Sequence, residues 1–417
     1  MNRRHALCCG AALAAGLFTG LMPRVADAVR NPCRGTLPSD LAGHDLVLGA
    51  FDGIDASRLV DTHAHLLGTG DAGSGCTVHP SMQQWWHPVE VLRRKAILNG
   101  ACVPADAKPV DVAYVDRLRG LAADFPAGAR WWLYAFDRAH DDAGRPRADW
   151  TTFHVPNAHA AAVAAANPAR FDWVASIHPY REDALTALDA AIAHGAVAVK
   201  WLPSAMNIDL ADRRCRPFFE RLARHGTPLV VHCGEEKAVP GAGRDAYGNP
   251  LRVRHALDAG VTVIVAHCAS LGRAEDLDLP SRPQRPAFEL FVRLMDEAGH
   301  GGRLLGDISA AFQANRSLDV GRTLLQRTEW HDRLLHGSDH PLPGVMPLFS
   351  PRALARGGLL AEHEAATLSR IREHNPLMFD FVLKRRLQWQ GQVLPASVFE
   401  AGALAETAAT VGPVPRA

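Results

Sequence analysis

An excess of charge of one sign is what this 417-residue chain lacks: 45 basic side chains stand against 44 acidic ones. That balance supplies no basic surface for a nucleic-acid backbone or an anionic membrane, so chemistry on a small molecule is the better expectation. The chain also lacks an internal repeat at solenoid spacing, which removes stacked-repeat architectures. Beyond its first 28 residues it lacks any apolar run of the ~20 residues that span a bilayer, and no stable membrane anchor is expected once that start is removed. The composition that is present, 47% apolar and 21% charged, belongs to a soluble globular protein long enough for one large barrel or two ordinary domains.

The first 28 residues read as an export signal rather than as fold. Asn2-Arg3-Arg4-His5 is a basic start, Ala6 to Met22 is uncharged and rich in Ala and Gly, and Ala26-Asp27-Ala28 offers small residues for cleavage. Arg3-Arg4 resembles a twin-arginine signal, although Ala6 stands where a large apolar residue is common, so general secretion stays open. Either route predicts a periplasmic or exported protein. Six cysteines then remain, Cys33, Cys76, Cys102, Cys215, Cys233 and Cys268. An oxidising compartment allows them to pair, but spacing does not choose the pairing.

Along the rest of the chain, strand-like runs fall near 59–65, 129–136, 171–178, 196–202, 228–233, 261–267, 303–309 and 334–339. Helix-like stretches between them include 110–124, 181–194, 210–225, 249–259, 286–299 and 317–331. This alternation predicts a parallel α/β sheet, and eight units fit a closed (β/α)8 TIM barrel over 59–387. An open doubly wound sheet ranks second, because only closure brings the first and eighth strands together. Residues 29–58 read as an irregular or hairpin lead-in, 361–386 as a final helix, and 388–417 as a wrapping or frayed tail. The long insertion at 66–109, with Trp85, Trp86 and His87, reads as an ordered lid.

Several strand-like runs end in residues suited to a metal. With 21 histidines in the chain, about one His-x-His pair arises by chance, so His63-Ala64-His65 matters through its context. It closes a strand, and alternation puts Asp61, His63 and His65 on one face, with Asp61 steadying the imidazoles. Lys200 ends the run Ala196-Val197-Ala198-Val199, where a cation is costly without a partner. It reads as a rim ion pair, a plain amine beside a metal, or an amine that takes up carbon dioxide to give a metal-bridging carbamate. His232 and His267 close two further runs, and Asp339 ends the eighth in His336-Gly337-Ser338-Asp339-His340-Pro341. Neutral imidazoles suit zinc and its neighbours, and an aspartate there can also manage a proton. Cys233 and Cys268, each following a rim histidine, are expected to point outward as small core residues.

Asp61-Thr62-His63-Ala64-His65, Lys200, His232, His267 and Asp339, on strands one, four, five, six and eight, resemble the metal-site pattern of the amidohydrolase superfamily. Val199-Lys200-Trp201-Leu202-Pro203 and Gly337-Ser338-Asp339-His340-Pro341 are similar to its amidohydrolase-related branch, which includes decarboxylases. The resemblance implies a barrel holding one or two divalent ions, usually zinc, on His63, His65, Lys200, His232, His267 and Asp339. It implies that Asp339, His267 and Lys200 serve catalysis, with a carbamylated Lys200 where two ions bind. The expected reaction is hydrolysis of an amide, lactone or ester bond by metal-activated water. A non-oxidative decarboxylase on one ion and a non-catalytic metal-binding barrel are the alternatives. Trp85, Trp86, Tyr180, Arg181 and Arg273 are the loop residues expected to meet the substrate, with Arg181, Lys237 and Arg273 the candidates to receive a carboxylate. A homo-oligomer is compatible with the sequence.

Overall fold

The computed structural model describes residues 30–401 and 404, apart from 105 and 301. The proposed signal and most of the tail beyond 401 lie outside the described residues. Eight parallel strands form one sheet in chain order: β1 (Val60–His65), β2 (Arg130–Tyr134), β3 (Phe171–Ala175), β4 (Ala196–Trp201), β5 (Leu229–His232), β6 (Val263–Ala266), β7 (Leu304–Asp307) and β8 (Leu334–Leu335). All eight lie within the strand-like runs read from the sequence. The last strand returns to the first. Thr62 N–H donates to the His336 carbonyl at 2.9 Å, Asp339 N–H to His63 at 2.7 Å and His65 N–H to His340 at 2.9 Å. The sheet is therefore closed into a barrel, as expected.

The helices that cover it are α1 (Pro88–Gly100), α2 (Val110–Ala123), α3 (Asn157–Ala166), α4 (Ala184–Ala193), α5 (Cys215–His225), α6 (Ala287–Asp296), α7 (Leu318–Gln326), α8 (Glu364–His374) and α9 (Pro376–Arg386). The single helix expected over 361–386 is two, because Pro376 cannot continue α8. Asn375 between them caps α9 by accepting from Met378 N–H. The lead-in carries two short helices, Ser39–Ala42 and Asp45–Leu48, and, among the described residues, no hairpin. Part of the tail packs: Val398 and Phe399 are buried, and the Val398 carbonyl accepts from His336 N–H at the entry to the last strand's loop.

Alternation along the strands explains where the polar residues go. Trp132, Val174, Ala198, Val230, Ile264 and Leu335 fill the barrel interior. Two residues beyond Ala198 and Val230, toward the C-terminal rim, stand Lys200 and His232, so the pleat that buries the apolar side chains also turns these polar ones inward. Cys233 and Cys268 belong instead to the outer core and are free thiols. Cys33 and Cys102 form a disulfide that ties the lead-in to the end of the insertion.

Strand β1 departs from simple alternation. Val60 and Asp61 pair with Arg130 and Trp131, but Ala64 and His65 pair with Leu133 and Tyr134, so two residues oppose one across a bulge. Asp61 therefore does not share a face with His65. It supports the site through the backbone, accepting from His63 N–H at 3.0 Å and Ser338 N–H at 2.8 Å.

Candidate metal centre and active site

Three donor atoms meet where β1 and the loop after β8 converge. His63 Nε2 lies 3.3 Å from His65 Nε2 and 3.4 Å from Asp339 Oδ1, and His65 Nε2 lies 3.1 Å from the same oxygen. His63 is buried, and its Nδ1–H donates to Asp307 Oδ2 at 2.5 Å. Burial, with the nearby Lys200, holds its pKa below the usual imidazole value, so the ring is neutral. With the proton on Nδ1, the Nε2 lone pair faces another imidazole nitrogen and a carboxylate. Nitrogen and oxygen donors at 2.0–2.2 Å from one tetrahedral ion stand about 3.3 to 3.6 Å apart, close to the separations here. The spacing fits a divalent cation held by His63, His65 and Asp339.

The local chain is shaped for this meeting. A Cβ on Gly337 would come within 2.7 Å of His63 Cβ and 2.9 Å of Asp307 Oδ1, so only glycine lets the β8 segment pass this close. Asp339 has φ 58° and His267 φ 41°, a region that non-glycine residues seldom occupy and that recurs at functional sites. Burial pushes the Asp339 carboxyl up, but His63 and His65 outweigh it and hold the group well below the usual carboxylate range.

His232 and His267 form a second pair, outside the three-residue cluster. His267 Nε2 is 3.0 Å from His232 Nδ1, which is also 3.2 Å from Glu236 Oε2. Glu236 spends its other oxygen on the N–H groups of Ala238 and Val239, so Oε2 is left to accept from His232. That sets the His232 proton on Nδ1 and leaves its buried Nε2 bare. Burial together with Lys200 pushes His232 down to about 3, and burial with His232 and Arg316 takes His267 well below its usual range. Both rings are neutral at physiological pH.

Lys200 is buried, and its Nζ has no hydrogen-bond partner and no carboxylate within ion-pair distance among the described residues. Its nearest notable contact is the Tyr134 ring, with Nζ 5.2 Å from the centroid. The reading of Lys200 as a rim ion pair therefore fails. Burial lowers it to about 8, within reach of a neutral amine.

His63, His65, Lys200, His232, His267 and Asp339 line one cavity of about 300 Å³. The insertion does fold over it, but the residues it supplies are Leu66 and Leu67, next to β1, and Arg93, Ala96 and Ile97 of α1. Trp85 and Trp86 are 82% and 57% exposed and lie outside the cavity wall. Tyr180 is packed under Arg214, its ring 3.6 Å from the guanidinium, and Arg181 is paired with Asp137 and Asp183. Arg273 lies on the antiparallel ribbon Arg273–Glu275 with Gln284–Pro286 and donates to the Gln284 carbonyl. None of these three reaches the cavity. Lys237 does, paired with Glu235 at 3.4 Å. Sequence reasoning passed over Asp307, Gln313 and Arg316. Asp307 could have been found, since it ends the run Leu304-Leu305-Gly306 just as the other site residues end theirs.

A closed parallel barrel with a His-x-His pair from its first strand and an aspartate after its eighth, converging on one point, is a (β/α)8 fold with a candidate metal site. The chain belongs to the amidohydrolase family, whose family model matches residues 60–379. No curated protein matches it. Among solved structures it is similar to an uncharacterised TIM-barrel protein from Bordetella bronchiseptica at 17% identity, TM-score 0.46, covering 68% of this chain and 86% of that one. It is also similar to 5-carboxyvanillate decarboxylase from Sphingomonas paucimobilis at 13% identity, TM-score 0.47, covering 85% and 98%.

Proposed function

We propose that this protein is a metal-dependent hydrolase that cleaves an amide, lactone or ester bond of a small molecule, with zinc as the ion. The observation that carries this reading is the trio His63, His65 and Asp339, whose donor atoms lie 3.1 to 3.4 Å from one another at the barrel rim. A divalent ion bound there supplies a Lewis acid that polarises a substrate oxygen and makes water more acidic. The remaining work falls to side chains. Asp339 takes the proton of the attacking water and returns it to the leaving group. His267, in the cavity wall with its Nε2 turned to His232, is the imidazole placed to meet the oxygen on which negative charge develops. Asp307 holds His63 in the tautomer and orientation that present Nε2. Lys200, as a free buried amine, is the group through which a second ion would be bridged after carbamate formation. The Cys33–Cys102 disulfide supports the part of this reading that places the protein in an oxidising, exported setting.

Asp339→Asn is the direct test. It keeps an oxygen donor but removes the proton acceptor, so turnover should fall by at least ~10³-fold while much of the bound metal stays. Undiminished turnover in that variant removes Asp339 from the mechanism. Products decide between hydrolysis and the alternative on the same site: a decarboxylase releases carbon dioxide and consumes no water.

A further inference from the structure

The cavity wall has two unlike sides. The side that follows β8, β1 and β2, neighbours in the closed sheet, presents Leu342, Val345 and Leu348, then Leu66 and Leu67, then Phe136. Arg93 of α1, on the same side, is neutralised by Glu90 at 2.6 Å. Across the barrel, the loops after β5 and β7 carry charge. Glu235 is there with Lys237, beside Glu236 and Arg316, which donates to Ser270 Oγ and Asn315 Oδ1 and has no carboxylate within ion-pair distance among the described residues. His63 and His65 stand on β1 and Asp339 after β8, so the metal trio lies on the apolar side.

Helix α1 carries this apolar side out of the cavity. At about 3.6 residues per turn, Val89, Leu92, Arg93, Ala96, Ile97 and Gly100 fall on one face. The C-terminal end of that face is seated tightly: a Cβ on Gly100 would come within 2.7 Å of the Pro341 carbonyl oxygen, and Ala96 and Ile97 line the cavity. Its first turns are bare. Val89 is 66% and Leu92 61% exposed, and Trp85 and Trp86, exposed as well, immediately precede the helix with their rings edge to face at 5.8 Å. From Ile97 to Val89 the helix rises roughly 12 Å, so an apolar strip of that length continues from the cavity wall to the surface. A contiguous apolar surface left in water is costly, and a chain laid over it recovers that cost.

We infer that the substrate is an amphiphile whose unbranched acyl or alkyl chain lies on this strip, running from the metal trio along Ala96, Leu92 and Val89 toward Trp85 and Trp86. The bond cleaved, at the chain's inner end, rests on the hydrolase proposal; the seat of the chain does not. Because Arg93 is already neutralised, this side offers no free charge to a polar head group, which places the chain here and the head elsewhere. The strip is continuous with the cavity wall, and a ligand that occupies both at once covers it better than a second copy or a lipid surface, which reach only its outer part. Leu92 and Val89 then read chain length beyond what the cavity holds.

Straight-chain alcohols from butanol to decanol test the seat, because they carry the chain and hold no bond to hydrolyse. Bound to the full chain with its metal and followed by calorimetry, they should gain about fourfold in affinity per methylene through decanol. The emission of the exposed tryptophans should move to shorter wavelength with the longer members only. Leu92→Asn, at an exposed position, should leave butanol within about twofold and weaken decanol roughly tenfold or more, while Leu92→Met should keep most of the gain. Trp85→Ser/Trp86→Ser should remove the emission shift. Affinity that does not rise with chain length, or a gain per methylene that Leu92→Asn leaves unchanged, overturns the inference. So does a dimer, or binding to phosphatidylcholine vesicles, that Leu92→Asn abolishes while the alcohols bind as before, since the strip then belongs to a second copy or a lipid surface. Chain-length-dependent alcohol binding in a protein that hydrolyses no ester, amide or lactone keeps the seat and removes the hydrolase reading; turnover of short esters without any chain-length gain does the reverse.

Discussion

His63 depends on Asp307 as much as on its own strand. The 2.5 Å contact from Nδ1–H to Asp307 Oδ2 fixes which nitrogen carries the proton, and Asp307 is itself held by Ser309. Removing such a carboxylate behind a ligating histidine typically weakens metal binding about 10–100-fold. Asp307→Asn should do so in a chelator competition with the fold intact by circular dichroism, and unchanged affinity would show that His63 needs no such support. Lys200 gives a second expectation at this scale. Its folded pKa of about 8 lies below the unfolded value of 10.5, so between these limits the unfolded chain binds the proton more readily. The cost of burying the ammonium is full below pH 8 and is relieved as pH rises toward 10.5, roughly 3 kcal/mol in all. In chelator-treated protein, Lys200→Met should raise the melting temperature at pH 7 and lose that advantage near pH 10.5; an equal gain at both pH values would contradict the assignment. His63, His65 and Asp339 were legible because histidine and aspartate, both able to hold a metal, close apolar runs at these three positions. Arg316 was not, because nothing in Gln313-Ala314-Asn315-Arg316 distinguishes an unpaired cation from a paired one until the loop is folded.

At the scale of elements, the eight strands were legible from short apolar runs ending in polar residues, and their order followed from barrel closure. The bulge in β1 was not, since an extra residue leaves the apolar pattern intact while turning Asp61 away from His65. Helix α3 was not singled out for a related reason: Ala158 to Ala166 is almost uniformly alanine and carries little amphipathic contrast. The segment after β8 is braced from below by α9, where buried Lys384 donates to the Gly337 carbonyl at 2.6 Å and to Asp380 Oδ2 at 2.5 Å. Lys384→Met leaves a buried carboxylate and a carbonyl without partners and should cost about 3–5 kcal/mol in denaturant unfolding. Adding Asp380→Leu should recover much of that loss. A double variant as unstable as the single one would mean that the brace on Gly337, rather than the lone charge, is what matters.

For the whole molecule, closure is what turns scattered residues into a site: β1 and β8 are some 270 positions apart in sequence, yet Ser338 N–H reaches Asp61 Oδ1 across a separation of 277 residues. The lid and the disulfide extend that logic, since Cys33–Cys102 anchors the end of the insertion from which Arg93, Ala96 and Ile97 reach the cavity. The lid was legible from its length, but its inner face was not: the paired tryptophans drew attention, and the fold turned them to solvent. The central claim is that this barrel holds a divalent ion on His63, His65 and Asp339. Metal content per chain, measured by mass spectrometry on protein purified without chelator, tests it directly. The account predicts at least one ion per chain, two if Lys200 carries a bridging carbamate, and loss of the ion in a His63→Ala/His65→Ala variant. No bound ion, even after incubation with zinc or manganese, would contradict it.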